Sequence, residues 1–212
     1  MNRNYQKELD RIIQRQGENR PRVLLHACCG VCSSAVLEYL TQFFDVTLLW
    51  YNPNLYPEEE FARRYLALQE ILEKMGFRDR VAVLAEPWRH EDYEAVVPGL
   101  ENEPEGGARC TECFRLRLTE TARIAAERGY DYFCTTLTLS RHKDERRINS
   151  LGEELGKALG AAWLPSDFKK QGREMRSTEL ADYYGIYRQL YCGCEFSLHK
   201  RESKEKPADP AE

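Results

Sequence analysis

Cysteine is the residue type that carries the clearest chemical information in this sequence, with eight copies. Seven of them fall into three short groups: Cys28, Cys29 and Cys32; Cys110 and Cys113; Cys192 and Cys194. Thiolates are soft ligands, and closely spaced cysteines in a reducing compartment are typical of metal or redox sites. The groups therefore predict a metal-dependent redox protein. The eighth, Cys134, lies within an apolar segment and is predicted to be a buried core residue.

Zinc and iron–sulfur centres are the two kinds of metal site that compete for these cysteines. A structural zinc site takes four ligands in a tetrahedron, which two cysteine pairs would supply. Seven thiols exceed that number, and the adjacent residues Cys28 and Cys29 are an unusual zinc arrangement. Both features favour an iron–sulfur cluster. The pair Cys192 and Cys194 could bind a second metal or cycle as a redox disulfide.

Length and composition indicate one folded domain. The chain has 212 residues, of which 42% are hydrophobic and 31% charged, and its net charge is −4. No apolar run approaches the roughly 20 residues of a membrane span, and the start of the chain does not have the pattern of a signal peptide. We therefore expect a cytoplasmic protein whose thiols stay reduced. We also expect a single catalytic domain over residues 1–200 and a flexible tail over 201–212.

Hydrophobic patterning predicts strands that alternate with helices. Short apolar runs predict strands at 22–27, 45–51, 80–85 and 131–137, with a short fifth strand at 161–163. This alternation indicates an α/β fold with a doubly wound, mostly parallel sheet of about five strands. The first cysteine group follows the first strand, and ligands bind beyond the carboxyl ends of the strands in such folds.

A strand followed by a small-residue loop and a helix is also typical of ATP enzymes that modify tRNA. Gly30 is the only glycine of this loop, whereas a phosphate cradle requires several free backbone amides. We therefore expect no use of ATP. His26 ends the apolar strand and is predicted to be a core histidine rather than a ligand.

Two basic stretches are candidates for contacts with nucleic acid. One contains Arg141 and Lys143 directly after the fourth strand, and the other, from Lys169 to Arg176, is expected to be a loop. Both would lie near the sheet edge that bears the cysteines. Because lysine and arginine supply phosphate contacts, we predict substrate-binding roles for Arg141, Lys143, Lys170 and Arg176.

Six motifs, in order along the chain, give the sequence a specific resemblance. They lie between Asn4 and about Leu198 and read LLHACCGVCSS, YNPNLYP, ARCTECFRLRL, TTLTLSRHKD, SDFKKQGREMRS and YRQLYCGCEFS. On these segments the chain resembles the QueH-type epoxyqueuosine reductases. The resemblance implies a fold like that of the adenine-nucleotide-hydrolase-like (HUP) proteins, with cysteine-rich loops at the strand carboxyl ends.

The resemblance also implies an activity and partners. Members reduce the epoxide of epoxyqueuosine in tRNA to the alkene of queuosine, with loss of water and without cobalamin, as the last step of tRNA queuosine biosynthesis. The partners expected are a tRNA that carries epoxyqueuosine at the wobble position and an external low-potential electron donor similar to ferredoxin or flavodoxin. No membrane partner is expected.

Roles for the cysteines follow from the same resemblance. The ligands of a 4Fe–4S cluster in the family fall on four positions: Cys28, Cys29, Cys110 and Cys113. The C-x-C of the family falls on Cys192 and Cys194, either as a redox-active pair or as ligands beside the cluster. Cys32 matches a position where some members carry aspartate, which fits a second, mononuclear iron. We therefore expect Cys32, Cys192 and Cys194 to be catalytic, with one iron contacting the epoxide while the cluster supplies electrons.

Two other functional classes stay open on the residues alone. One is a zinc-stabilised RNA-binding protein without redox chemistry, and the other is an ATP-dependent tRNA thiolation enzyme. The colour of anaerobically purified protein distinguishes them from the reductase, because cysteine-ligated iron–sulfur centres absorb broadly near ~400 nm and zinc does not.

Overall fold

The structure, a computed structural model, describes residues 3–205 of the chain. A short 3-10 helix, Thr136–Leu139, directly follows the last strand. In chain order the other elements are α1 Tyr5–Gln16, β1 Arg22–His26, α2 Gly30–Leu40, β2 Asp45–Trp50, α3 Glu58–Lys74, β3 Ala82–Ala85, α4 His90–Glu94, α5 Ala108–Glu127, β4 Tyr132–Thr135, α6 Glu145–Leu159, α7 Arg173–Tyr184 and α8 Glu195–Glu205.

The strands form one parallel sheet in the order β3-β2-β1-β4. Every residue of β1 after Arg22 is buried, as expected of a central strand that is covered on both faces. The α/β prediction is confirmed.

The fifth strand expected at 161–163 is a single bridge rather than a strand. A parallel bridge joins Phe133 to Trp163, where the Phe133 N–H donates to the Ala162 carbonyl at 2.9 Å. The Leu164 N–H donates to the Phe133 carbonyl at 2.9 Å. Pro165 follows and has no N–H with which to continue the ladder. Within the described residues the sheet therefore has four strands.

The direction of the chain across the sheet reverses after β3, so the switch point lies between β1 and β4. From β1 the chain passes through α2 to β2 and through α3 to β3, and then returns through α5 to β4. Because parallel crossovers are right-handed, this reversal places helices on both faces. Accordingly α2 packs against α3 and α7, whereas α5 packs against α6. The carboxyl ends of β1 and β4 flank the crevice where doubly wound folds bind ligands.

His26 and Cys134 are core residues, as predicted. Both are 0% exposed. The His26 ring nitrogens lie 2.8 Å from Thr135 Oγ1 and 3.1 Å from the Tyr51 carbonyl oxygen. Burial lowers the pKa of His26 to about 4 and raises the pKa of the Cys134 thiol. Neither side chain is therefore available as a ligand.

Two segments differ from the expected boundaries. The second basic stretch is not all loop, because α7 begins at Arg173 and includes Arg176. Helix α8 ends at Glu205 and so takes up the first five residues of the expected tail, while 206–212 lie outside the described residues. No helix in the described part of the chain has the length and apolar character to span a membrane.

Candidate metal centre

The cysteine loop (residues 27–32, from the end of β1 into the first turn of α2) brings three sulfurs together at the switch point. The Sγ atoms of Cys28, Cys29 and Cys32 all lie within 4.8 Å of one another, and those of Cys28 and Cys29 are 3.9 Å apart. Gly30 is required because a Cβ there would lie 2.6 Å from the carbonyl oxygen of Ala67 in α3. Since a backbone oxygen cannot swing away, the packing of α2 on α3 fixes the loop.

Hydrogen-bond donors surround the sulfurs of the cysteine loop. Cys29 Sγ accepts the N–H of Cys32 at 3.1 Å and so caps the start of α2 with sulfur. Thr136 Oγ1, just after β4, accepts the Cys28 N–H at 3.0 Å and donates to Cys28 Sγ at 3.2 Å. Gln189 Nε2 donates to Cys29 Sγ at 3.2 Å. Such donors favour the thiolate.

The thiols of the cysteine loop differ in acidity. Hydrogen bonding to the thiols of Cys29 and Cys32 holds the pKa of Cys28 well below its usual range. Burial raises the pKa of Cys29 to about 12, and hydrogen bonding to Cys28 and Cys29 raises the pKa of Cys32. Cys28 is therefore the most acidic thiol of the loop.

Cys110 and Cys113 lie one turn apart at the start of α5, as predicted. Cys110 Sγ accepts the Gly106 N–H at 3.2 Å. Cys113 is 7% exposed and packs in a small cluster with Tyr93 and Cys194. Burial raises the pKa of Cys113 to about 12. Helix α5 thus carries its cysteine pair toward the C-x-C pair.

The C-terminal arm (residues 191–194) has no regular secondary structure and is held by Arg64 of α3. Arg64 Nη1 and Nη2 donate to the carbonyl oxygens of Cys192 and Tyr191, both at 3.1 Å. Arg64 Nε donates to Glu60 Oε1 at 2.7 Å, and the two residues are 2% and 6% exposed. One buried ion pair therefore positions the C-x-C backbone.

Gly193 allows the arm to lie this close to α3. Its φ is 128°, and a Cβ would lie 2.4 Å from Leu55 Cδ2 and 3.0 Å from Arg64 Nη1. The Gly193 carbonyl oxygen accepts the Tyr56 N–H at 2.8 Å. The glycine between the two cysteines is therefore explained by backbone conformation and by close packing.

The cysteines meet at two cavities that share Cys192. The larger, of about 730 Å³, is lined by Cys28, Cys32 and Cys192. The smaller, of about 340 Å³, is lined by Cys110, Cys192 and Cys194. The structure thus collects the predicted cysteines around one region.

The cysteines that lie next to each other in the structure are not the same groups as the ligand sets expected for the cluster and the second iron. Cys32 lies with Cys28 and Cys29, while Cys113 packs with Cys194. All eight cysteines are free thiols, so a disulfide between the two cysteines of the arm is not supported.

The cysteine loop could hold a metal ion. In the described range it is the one group of three His, Cys, Asp or Glu side chains close enough to do so. Sulfur ligands at ~2.3 Å from one metal lie roughly 4 Å from each other, and the 3.9 Å between the sulfurs of Cys28 and Cys29 matches that spacing. A thiolate donor set suits zinc or iron rather than magnesium or calcium.

The larger cavity also carries polar side chains. Asn54 is 2% exposed, and within residues 3–205 its Oδ1 has no hydrogen-bond partner. Burial alone lowers the pKa of Lys143, but the Coulombic attraction of the neighbouring cysteines outweighs that effect and raises it. The wall is thus cationic beside the sulfurs.

Sequence reasoning missed Arg64, Asn54 and Arg117, which all line the larger cavity. Arg117 follows Cys113 by four residues, so helical spacing placed both on one face of α5 and was a usable signal. Arg64 and Asn54 are far from any cysteine in sequence, and only the tertiary fold brings them to the site.

The predicted substrate-binding cations occupy different settings. Lys143 lines the larger cavity. Arg141 and Arg176 each form an ion pair with a glutamate, at 2.9 Å and 2.8 Å, and Lys170 is exposed. The structure brings one of the four to the cysteines, and contact of the other three with substrate stays a prediction.

Comparisons with known proteins agree with these motifs. The profile of the family described as "Epoxyqueuosine reductase QueH" matches residues 23–200. A protein of that name from Streptococcus pyogenes serotype M1 is 41% identical over 205 residues, covering 93% of this chain and 80% of the relative. One from Staphylococcus epidermidis is 41% identical, covering 93% and 86%, and one from Thermotoga maritima is 32% identical, covering 86% and 93%.

The profile match includes all three cysteine groups and nearly all of the residues that line the two cavities. Identity of 41% over most of both chains supports the same family as the profile match. This chain belongs to the epoxyqueuosine reductase QueH family.

Proposed function

We propose that this epoxyqueuosine reductase acts on epoxyqueuosine in tRNA at an iron–sulfur centre held in its cysteine-lined cavities. One observation carries the proposal: the sulfurs of Cys28, Cys32 and Cys192 line a single cavity beside the ammonium group of Lys143. Family membership does not favour the zinc-stabilised RNA-binding protein or the ATP-dependent thiolation enzyme.

The ligand partition is part of this proposal. The family pattern assigns a 4Fe–4S cluster to four cysteines: Cys28, Cys29, Cys110 and Cys113. It leaves Cys32, Cys192 and Cys194 for an adjacent mononuclear iron. Cys32 lies close to Cys28 and Cys29. This supports a metal ion next to the cluster, because such an ion needs a ligand that is adjacent to the ligands of the cluster.

The reaction requires two electrons and two protons, since the epoxide oxygen leaves as water and an alkene remains. When bound, the iron–sulfur centre supplies single electrons at low potential. Lys143 Nζ holds a proton at the cavity wall, where it can be passed to the departing oxygen. The unpartnered Asn54 Oδ1 is available to accept a hydrogen bond from the modified base.

The remaining parts of the proposal concern partners. A volume of about 730 Å³ is suited to one modified nucleoside, so the rest of the tRNA would lie outside the cavity. Arg141, Lys170 and Arg176 would contact its phosphates. A ferredoxin- or flavodoxin-like protein would deliver the electrons.

Anaerobic purification tests the proposal. We expect a brown protein that absorbs broadly near ~400 nm and contains iron. Incubation with a chemical reductant and tRNA bearing epoxyqueuosine should yield queuosine, measured by mass spectrometry of the digested nucleosides. A colourless protein with stoichiometric zinc would contradict the iron–sulfur centre.

The second iron has its own test. Cys32→Ser should lower both the iron content and the turnover while the absorbance of the cluster stays. Full activity together with full iron content in this variant would rule out Cys32 as a ligand of a second iron.

A further inference from the structure

Arg117 is a buried cation in the wall of the larger cavity. It lies on α5, four residues after Cys113, and is 3% exposed. Its Nε donates to the Cys113 carbonyl oxygen at 3.2 Å. This bond anchors the side chain along its own helix, so that the guanidinium group lines the same cavity as Cys28 and Cys192.

The hydrogen bonding of Arg117 differs from that of the other buried arginines. Arg64, Arg109 and Arg173 each direct terminal nitrogens at protein oxygens. Within the described residues, the two terminal nitrogens of Arg117 donate no hydrogen bond, and no carboxylate pairs with it. The carboxylate in the cavity wall, Glu105, is exposed and forms no ion pair with Arg117.

The groups that can balance Arg117 are therefore the cysteines, which bind a metal as thiolates. A buried guanidinium without an anion is strongly unfavourable. Arg117 contacts the backbone of Cys113, and Cys28 and Cys192 line the same cavity as its guanidinium group. Those three cysteines come from all three groups, so Arg117 faces the site as a whole.

We propose that Arg117 is the fixed counter-charge of the cysteine-ligated centre and raises its reduction potential. The inference rests on the function proposed above. Thiolate-ligated iron–sulfur centres carry net negative charge, and each reduction adds one more. A fixed cation in a low-dielectric wall favours the more negative, reduced state. Arg117 thereby acts through the centre and needs no contact with the tRNA.

The test compares three variants with the unmodified protein, all purified and reconstituted with iron anaerobically. Arg117→Gln removes the charge, and Arg117→Lys retains it. Arg173→Gln is the matched control, because Arg173 is also buried but lies away from the cysteines. Iron content, melting temperature and the midpoint potential from a spectroelectrochemical titration are measured for each.

We expect Arg117→Gln to shift the midpoint to a more negative potential. At the potential where half of the unmodified centres are reduced, fewer than about one in ten should be reduced in this variant. Arg117→Lys should keep the midpoint potential close to that of the unmodified protein. Arg173→Gln should leave the potential unchanged even if its melting temperature falls.

Other outcomes decide against the inference or against its basis. An iron-loaded Arg117→Gln protein with an unshifted potential overturns the inference. If the potential is unshifted and only the KM for tRNA rises, Arg117 is a substrate contact instead. If Arg117→Gln does not fold or hold iron, Arg117→Lys decides: an unchanged potential supports the inference and a shifted one overturns it. Unmodified protein without iron would overturn the proposed function, and the inference with it.

Discussion

The cysteine loop and the C-terminal arm deliver sulfurs to the same cavity by different physical means. The loop follows a central strand and is fixed by backbone packing, since Gly30 lies directly against the Ala67 carbonyl. The arm has no regular structure and depends on two hydrogen bonds from Arg64. The sheet builds one half of the site, whereas a few long-range contacts, chiefly those of Arg64, hold the other half.

The energetics of the two halves differ for the same reason. Moving the loop requires separating α2 from α3, which would disturb the core. Moving the arm requires Arg64 to lose its carbonyl partners and the Tyr56 N–H to lose the Gly193 carbonyl, with no helix displaced from the core. Tyr187 also donates to Glu60, at 2.9 Å, so the carboxylate is held from two sides. The arm should therefore be the half that mutations can displace while the fold survives.

The largest expected effect is on the loop. Cys28→Ala should lose most of its iron and at least about 100-fold in turnover, because a ligand and the most acidic thiol of the loop are removed together. Iron analysis and single-turnover assays measure both. Cys134→Ala is the matched control, since Cys134 is buried in β4 away from the cavities, and it should keep its iron. Equal iron loss in both variants would mean that general instability is responsible.

The next effect is on the arm. Arg64→Met should destabilise the protein by about 3–5 kcal/mol, because it leaves the Glu60 carboxylate buried without its partner. Denaturant unfolding measures the loss. Adding Glu60→Gln should recover part of that stability, but not the turnover, since the carbonyls of Cys192 and Tyr191 still lack their donors. If the double variant recovered activity as well, the arm would not depend on Arg64.

Two glycine substitutions compare how the loop and the arm respond to an added methyl group. Gly30→Ala should lower stability by about 3 kcal/mol, because the new Cβ meets backbone atoms of α3 that cannot move independently. Gly193→Ala should cost only about 1–2 kcal/mol, through its positive φ and contacts with side-chain atoms of Leu55 and Arg64 rather than with backbone. Its loss of turnover should nevertheless exceed what its loss of stability accounts for. Thermal melts alongside assays at a temperature where both variants are folded test this contrast.

Sequence patterning was sufficient for the sheet and for the cysteine loop, because both depend on local signals. The continuous apolar run of β1 predicts a buried strand of a parallel sheet. Cys28 and Cys29 follow that run directly, so they are predicted at the carboxyl end of the strand. The prediction of a strand at 161–163 was wrong, because three apolar residues do not show whether backbone hydrogen bonding to β4 continues. Pro165 interrupts that hydrogen bonding after a single bridge.

The hydrogen bonds by which the Glu60–Arg64 pair holds the arm could not be predicted in the same way. Glu60 and Arg64 read as an ordinary i, i+4 pair on a helix surface, and nothing local shows that both are buried under a segment more than 120 residues away. Arg176 is a second case: nothing in the basic run showed that its guanidinium group pairs with a glutamate of α2, and its contact with phosphate stays a prediction. Long-range partners decide both cases.

The smallest expected effect concerns cations outside both halves of the site. Lys170→Ala should weaken tRNA binding only about two- to fivefold and reduce the slope of log K against log salt by ~0.7–0.9, as for one lost phosphate contact. Lys143→Ala, in the cavity wall, should instead lower turnover with little change in that slope. Filter binding across a salt series and single-turnover kinetics distinguish them. If Lys143→Ala changed only the salt slope, its ammonium group would contact a phosphate, and the proton supply of the cavity would have to come from another residue.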